Sequence, residues 1–173
     1  DGQLAVTLFP YLLKEYNRRW FLIAAAESDG KLLTFGLDRI DGVENLPSHK
    51  YVDYDGDLNE LYEDIIGVTY KGDSPVYKIM LWVSDNSKDY VVTKPLHESQ
   101  RSVSEAKAQE LYSLFPTLSG GQFFIIECKE NYELIRELTS FGKDLVVLSP
   151  KPITDLVERR VLEMFEIYSK LRT

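Results

Sequence analysis

The chain has 173 residues, 44% of them hydrophobic and 28% charged, with a formal net charge of −8. This is the composition of an ordinary globular protein with room for one full core or two small ones, and it excludes a disordered or fibrous chain. No apolar run approaches the roughly 20 residues a membrane-spanning helix needs, and the acidic balance excludes a broad basic face.

In chain order, Val6, Leu8 and Phe9 before Pro10 predict a strand within residues 4–13, bent or ended at the proline. The polar stretch 14–19, with Asn17 in it, predicts a tight connection. Residues 19–27 form the clearest strand of the first half, followed by the turn Ser28-Asp29-Gly30-Lys31 and a strand alternating around Leu33, Phe35 and Leu37. Residues 38–43 read as strand again, bent at Gly42. Short strands this closely spaced suggest a small barrel or strongly bent sheet.

Residues 51–70 carry Asp53, Asp55, Asp57, Glu60, Glu63 and Asp64 with no lysine or arginine, so much of the excess negative charge falls there. Leu58, Leu61, Tyr62 and Ile65 at helical spacing predict a short acidic helix, read as a connector. The D-x-D-G-D run from Asp53 lacks the glycine and glutamate spacing of a calcium loop.

The second half is more regular. Strands are predicted over residues 76–83, 98–103, 122–129 and 145–148, and helices over 84–93, 104–115, from Asn131 to Phe141, and over 154–171. Asn131 is the expected N-cap of the third helix and Gly142 its stop, while Val157, Val161, Met164, Phe165, Tyr168 and Leu171 lie on one stripe of the last. Setting aside the helix over 104–115, the order β-α-β-β-α-β-α is the ferredoxin-like order plus a C-terminal helix. The single cysteine, Cys128, sits in an apolar strand and reads as a buried residue. Two histidines without clustered cysteines argue against a structural zinc site, and no cofactor is expected.

Two runs place arginine directly against apolar sequence: YLLKEYNRRWFL over residues 11–22 and LDRI over 37–40. A guanidinium held among strand residues needs a partner, and a ligand anion is one candidate. Carboxylates of Asp38, Asp41 or Glu15 are the other. Trp20 and Leu22 alternate with Phe21, so the first two are expected to share a side and build core.

The segments PYLLKEYNRRWFL over 10–22, FGLDRI over 35–40 and EDIIGV over 63–68 together resemble the signature of the WYL domain. PLHESQ over 95–100, NYEL over 131–134 and FGKDLVVLSP over 141–150 resemble the C-terminal extension of that family. The resemblance implies an α+β chain, mainly β in its first half: an Sm-like small β-barrel over 1–52, an acidic helical connector over 53–70, and a ferredoxin-like βαββαβ extension with a C-terminal helix over 71–173. It also implies that the chain is the effector-sensing and oligomerising part of a bacterial, cytoplasmic transcription factor. DNA is then contacted only through an N-terminal helix-turn-helix domain absent from this chain. The start at Asp1 without a methionine reads as a fragment of something longer, with the first barrel strand also missing.

The expected partner is an anionic effector, a nucleotide or short single-stranded nucleic acid, and the expected assembly a homodimer. The candidate ligand-binding residues are Arg39 first, then Arg19 and Arg18, with Trp20, Phe21 and Tyr11. Two positions depart from the family pattern: Phe21 replaces the tyrosine of the W-Y-L triplet, and Gly36 stands where relatives often carry a basic residue. His97, Ser99 and Gln100 are expected to form a hydrogen-bonding cluster at an interface. No triad can be assembled around them, and the chain is not expected to be an enzyme. The alternative is a purely structural dimerisation module in which the arginines are paired internally.

Overall fold

The structure, a computed structural model, describes residues 5–172. Contacts divide the chain into two units, residues 1–72 and 73–173. The fold class is α+β, with a three-stranded antiparallel sheet in the first half and a ferredoxin-like sheet with helices in the second.

In the first unit, β1 (Leu8–Tyr16), β2 (Arg19–Ala26) and β3 (Leu32–Gly36) form an antiparallel sheet in the order β1-β2-β3. The predicted first strand includes Leu4, which lies outside the described residues. The strand does not end at Pro10, and residues 14–16 of the expected tight connection continue it. The pairing shifts between Pro10↔Ala24 and Leu12↔Ile23, leaving Tyr11 as an extra residue in a β-bulge. An edge strand tolerates a proline because its missing N–H need not face a neighbour. β1 and β2 are then joined by only Asn17 and Arg18, at φ 50° and 61°, between the paired Tyr16 and Arg19. Two positive φ values make the primed hairpin turn whose twist suits flanking strands.

Ile23 is fully buried between Tyr62 and Ile65, with Leu12, Leu32, Leu61 and Tyr70 around them. Tyr62 belongs to α1 (Leu58–Glu63), capped by the Asp57 carboxylate, which accepts from the Asn59 N–H. The acidic segment expected to act only as a connector therefore supplies half of the first unit's core. Thr34 Oγ1 donates to the Val68 carbonyl at 3.1 Å and ties the far end of that segment to β3.

Residues 38–43 do not form a strand. Leu37–Arg39 turn as one round of 3-10 helix, which folds Asp38 back toward β2. Trp20 is a second departure: it is 50% exposed rather than core. Its partner is Glu15, one pair from the hairpin turn, on the sheet face opposite Ile23 and α1.

The second unit carries β4 (Val76–Val83), α2 (Lys88–Thr93), β5 (Arg101–Ser102), α3 (Glu105–Leu114), β6 (Gln122–Lys129), α4 (Tyr132–Ser140), β7 (Leu145–Ser149) and α5 (Lys151–Lys170). Its sheet order is β5-β6-β4-β7 with every pair antiparallel. Numbered within the unit this is second, third, first, fourth, the ferredoxin-like arrangement. Ile79, Leu81 and Val83 of β4 and Phe124 and Ile126 of β6 point to one face and are sealed from solvent, as are Val91 of α2, Leu134 and Leu138 of α4 and Ile153 of α5. Trp82 and Phe123 point to the other face, which α3 covers through Leu111. The extra helix is thus a lid on the second face of the sheet. Asn131 caps α4 as expected, accepting from the Leu134 N–H at 2.8 Å.

β5 is only two residues long because the chain before it turns on itself, with the Gln100 N–H donating to the His97 carbonyl. Asp144 accepts from Ser84 Oγ at 2.6 Å, and this bond is the main reason its carboxyl lies below the ordinary carboxylate range. A depressed folded-state pKa adds stability above the unfolded pKa that is lost as pH falls through the folded one. Acid titration of unfolding should therefore show a shallower loss of stability in Asp144→Asn than in the native chain.

Candidate anion-binding site

The row of side chains on the α1 side of the first sheet runs Ile23, Phe21, Arg19 along β2. Phe21 pairs across with Lys14 on one side and Gly36 on the other. The Lys14 ammonium lies 5.0 Å from the Tyr62 ring centroid, where burial lowers its pKa from the ordinary lysine value. Past Phe21 the α1 cover ends. Arg19 rests 5.9 Å from the Phe21 ring and donates through Nη2 to Asp38 Oδ2 at 2.5 Å.

Gly36 is the floor of this group. A Cβ there would meet Asp38 Oδ1 at 2.8 Å, with Arg19 Nη2 at 3.7 Å and the Arg39 Cδ at 3.9 Å. Three charged side chains therefore converge above one glycine, which is small enough to let them close in. Of the two guanidiniums, Arg19 already holds a carboxylate. Arg39 is exposed and makes no side-chain hydrogen bond or ion pair among the described residues. Arg19 with Asp38 is the internal pairing weighed from the sequence, while Arg39 retains a full fork of donors suited to a phosphate or carboxylate.

The other expected ligand residues lie elsewhere. Arg18 is at the exposed hairpin tip and takes part in no ion pair among the described residues. Trp20 is on the opposite sheet face. Tyr11, on its bulge, donates its hydroxyl to the Val52 carbonyl at 3.1 Å, and Tyr51 returns a bond to the Pro10 carbonyl at 3.0 Å. Burial, then Tyr51, Asp53 and Tyr54, raise the Tyr11 pKa. Its ring lies 5.6 Å from that of Tyr54, so Tyr11 fastens the irregular residues 51–54 to β1.

His97, Ser99 and Gln100 also have internal partners. Ser99 Oγ lies 2.8 Å from His97 Nδ1 and accepts from the Glu127 N–H at 2.8 Å, inserting at the edge of β6. Gln100 accepts from the Leu96 N–H and donates to the Val91 carbonyl. The cluster shapes the turn leading into β5.

Lys14 was missed as a neighbour of the arginine group, whereas Asp38 is one of the carboxylate partners named from the sequence. Cross-strand register would have found Lys14, since a two-residue turn at Asn17-Arg18 places it opposite Phe21. Among the described residues no group of three or more histidine, cysteine or acidic side chains could hold a metal ion. None of their helices is long and apolar enough to cross a membrane.

Together these features define a two-unit α+β chain: a three-stranded sheet with a basic cluster at its uncovered end, then a ferredoxin-like unit with a long last helix. The family models agree with that division. Residues 2–45 match the WYL domain and residues 75–165 the WCX domain, and the chain belongs to the family of WYL-domain proteins that carry a WCX domain. Comparison with curated protein sequences gives no match. Among solved structures it is similar to proteasome accessory factor B/C (PafBC) of Arthrobacter aurescens, at 17% identity and a TM-score of 0.39 over 90% of this chain and 22% of that one. It is also similar to a CRISPR Cas-related protein, at 14% identity and a TM-score of 0.48 over 95% of this chain and 44% of the other. The chain thus spans less than half the length of either structure.

Proposed function

We propose that this chain is the effector-sensing region of a cytoplasmic bacterial transcriptional regulator, acting without catalysis as a homodimer. It binds an anionic effector, a nucleotide or short single-stranded nucleic acid, and passes the signal to a DNA-binding domain elsewhere in the full protein. One observation carries the ligand reading: Arg39 is exposed and, among the described residues, unpaired beside the Arg19–Asp38 pair over the small floor of Gly36. An incoming phosphate is held by Arg39 first and then competes with Asp38 for Arg19. With Phe21 in place of a tyrosine, recognition rests on charge and ring contact rather than on a hydroxyl. A second reading, a structural module without ligand, is favoured by the same Arg19–Asp38 pair, which satisfies one arginine internally.

Titration of a labelled single-stranded oligonucleotide and a labelled nucleoside triphosphate at low salt separates the two. Arg39→Ala should weaken binding roughly tenfold and lower the salt dependence by about one phosphate contact. Asp38→Asn should tighten binding, because Arg19 is released. Absence of binding of either probe to the native chain at low salt leaves the structural reading.

A further inference from the structure

We propose that Tyr11, Tyr51 and Tyr54 form an aromatic cage in the first unit that binds a quaternary ammonium group, with Asp53 supplying the counter-charge. β1, which carries Tyr11, and β3, which carries Gly36, are the two opposite edges of the sheet, so this ligand is distinct from the anionic effector. Tyr51, Asp53 and Tyr54 also lie outside the residues matched by either family model.

The cage is built from a strand and a strap. Tyr11 is the bulged residue of β1, and its hydroxyl bond to the Val52 carbonyl holds residues 51–54 against that strand. Tyr51 donates in turn to the Pro10 carbonyl, so both hydroxyls are tethered and both rings are set in place. The rings meet at angles rather than stacking. Tyr51 stands at 76° to Tyr11 with centroids 6.3 Å apart, and Tyr54 at 52° to Tyr11 with centroids 5.6 Å apart. Phe9 backs Tyr51 edge-on at 6.0 Å. Rings set at such angles can turn several faces toward one compact cation, which parallel stacking cannot. A cluster that served only to pin the strap would gain by burying its rings. Tyr51 is instead 52% exposed and Tyr54 only half-buried, so aromatic surface stays open to solvent.

Charge selects the sign of the ligand. Asp53 sits between Tyr51 and Tyr54 in sequence and accepts from the Tyr54 N–H at 3.0 Å. After burial and Tyr51, its charge is the next cause that raises the Tyr11 pKa. Asp55 follows directly on Tyr54, and residues 51–70 contain no lysine or arginine. Neither aspartate forms an ion pair among the described residues, even with Lys50 close by in sequence. An anion is repelled here, whereas a cation is attracted by the carboxylates and the ring faces together. Methylation then decides between cations. A primary ammonium brings three donors and a tightly held water shell, which ring faces replace poorly. A quaternary ammonium has no donor to satisfy and keeps its full charge, so ring faces suit it.

Titration of the intact chain with tetramethylammonium chloride at constant ionic strength, read on isotope-labelled tyrosine rings by nuclear magnetic resonance, tests the proposal. Saturable shifts are expected on Tyr11, Tyr51 and Tyr54 at millimolar concentrations. Choline should compete for the site, and its uncharged tert-butyl isostere should not. Tyr51→Leu should abolish binding, while Tyr51→Phe, which keeps the ring, should retain it. Asp53→Asn removes charge without removing a ring and should weaken binding about threefold. No saturable shift in the native chain overturns the proposal, as does equal binding of the tert-butyl isostere or undiminished binding to Tyr51→Leu.

Discussion

Replacing Gly121 with alanine is expected to destabilise the second unit by about 3 kcal/mol or more, the sum of backbone strain and an enforced clash. Gly121 has φ +74°, and an added Cβ would lie 2.2 Å from the Val83 carbonyl oxygen and 2.9 Å from Trp82 Nε1. The first of these is backbone in the central strand, held by pairing to β6 on one side and β7 on the other, so it cannot yield. The second is fixed as well, because Trp82 Nε1 donates to the Gly120 carbonyl at 3.0 Å, where Tyr112 also donates. The substitution therefore strikes the corner at which α3 closes over Trp82 and Phe123. Thermal unfolding followed by near-ultraviolet circular dichroism should show a drop of at least 12 °C, at roughly 4–8 °C per kcal/mol for a unit of this size. Gly142→Ala is the control. It shares a positive φ, 57°, but has nothing within 4 Å of the added atom, so it should show backbone strain alone. Equal effects at the two positions would mean that the α3 corner can relax.

The second large effect belongs to the first unit. Ile23→Ala should cost 2–5 kcal/mol, the range for truncating a fully buried aliphatic side chain. Ile23 joins β2 to Tyr62 and Ile65, so the cavity opens beneath α1 rather than inside the sheet. Because Lys14 lies over the Tyr62 ring and pairs across from Phe21, on which Arg19 rests, loosening α1 also disturbs the approach to Arg19. Urea unfolding should show a lower midpoint with an unchanged slope. Ile23→Val, removing one methylene, should cost only about 1 kcal/mol. A cost below that for Ile23→Ala would mean that α1 does not seal the sheet.

Much of the architecture could be read from pattern because it depends on local alternation. β2, β4 and β6 are apolar runs of strand length, Asn131 is a side-chain cap that accepts from the N–H three residues on, and the α5 stripe holds its period for about four turns. The parts that could not be read depend on partners distant in sequence. Tyr11 is a bulged residue only because Pro10 and Leu12 shift register against β2, and nothing in PYLL announces that. Trp20 alternates away from Phe21 as expected, but how far cover extends over that face depends on where other segments end. Residues 37–39 form a turn rather than a strand as Asp38 reaches Arg19, a contact across 19 positions. In the candidate site, the arginines drew notice because charge beside apolar sequence is conspicuous. Lys14 did not, being hidden in a stretch taken for a connection.

The proposed function requires an anion to sit over Gly36 between Arg39 and Arg19. The most direct measurement is nuclear magnetic resonance of the isotope-labelled chain during titration with a short single-stranded oligonucleotide at low salt. Saturable shifts are expected to concentrate on the Gly36 amide, the Phe21 ring and the guanidinium signals of Arg19 and Arg39, and in Arg39→Ala the remaining shifts should need roughly tenfold more oligonucleotide. Saturable shifts confined to other residues, or none at all in the native chain, would contradict the proposed function.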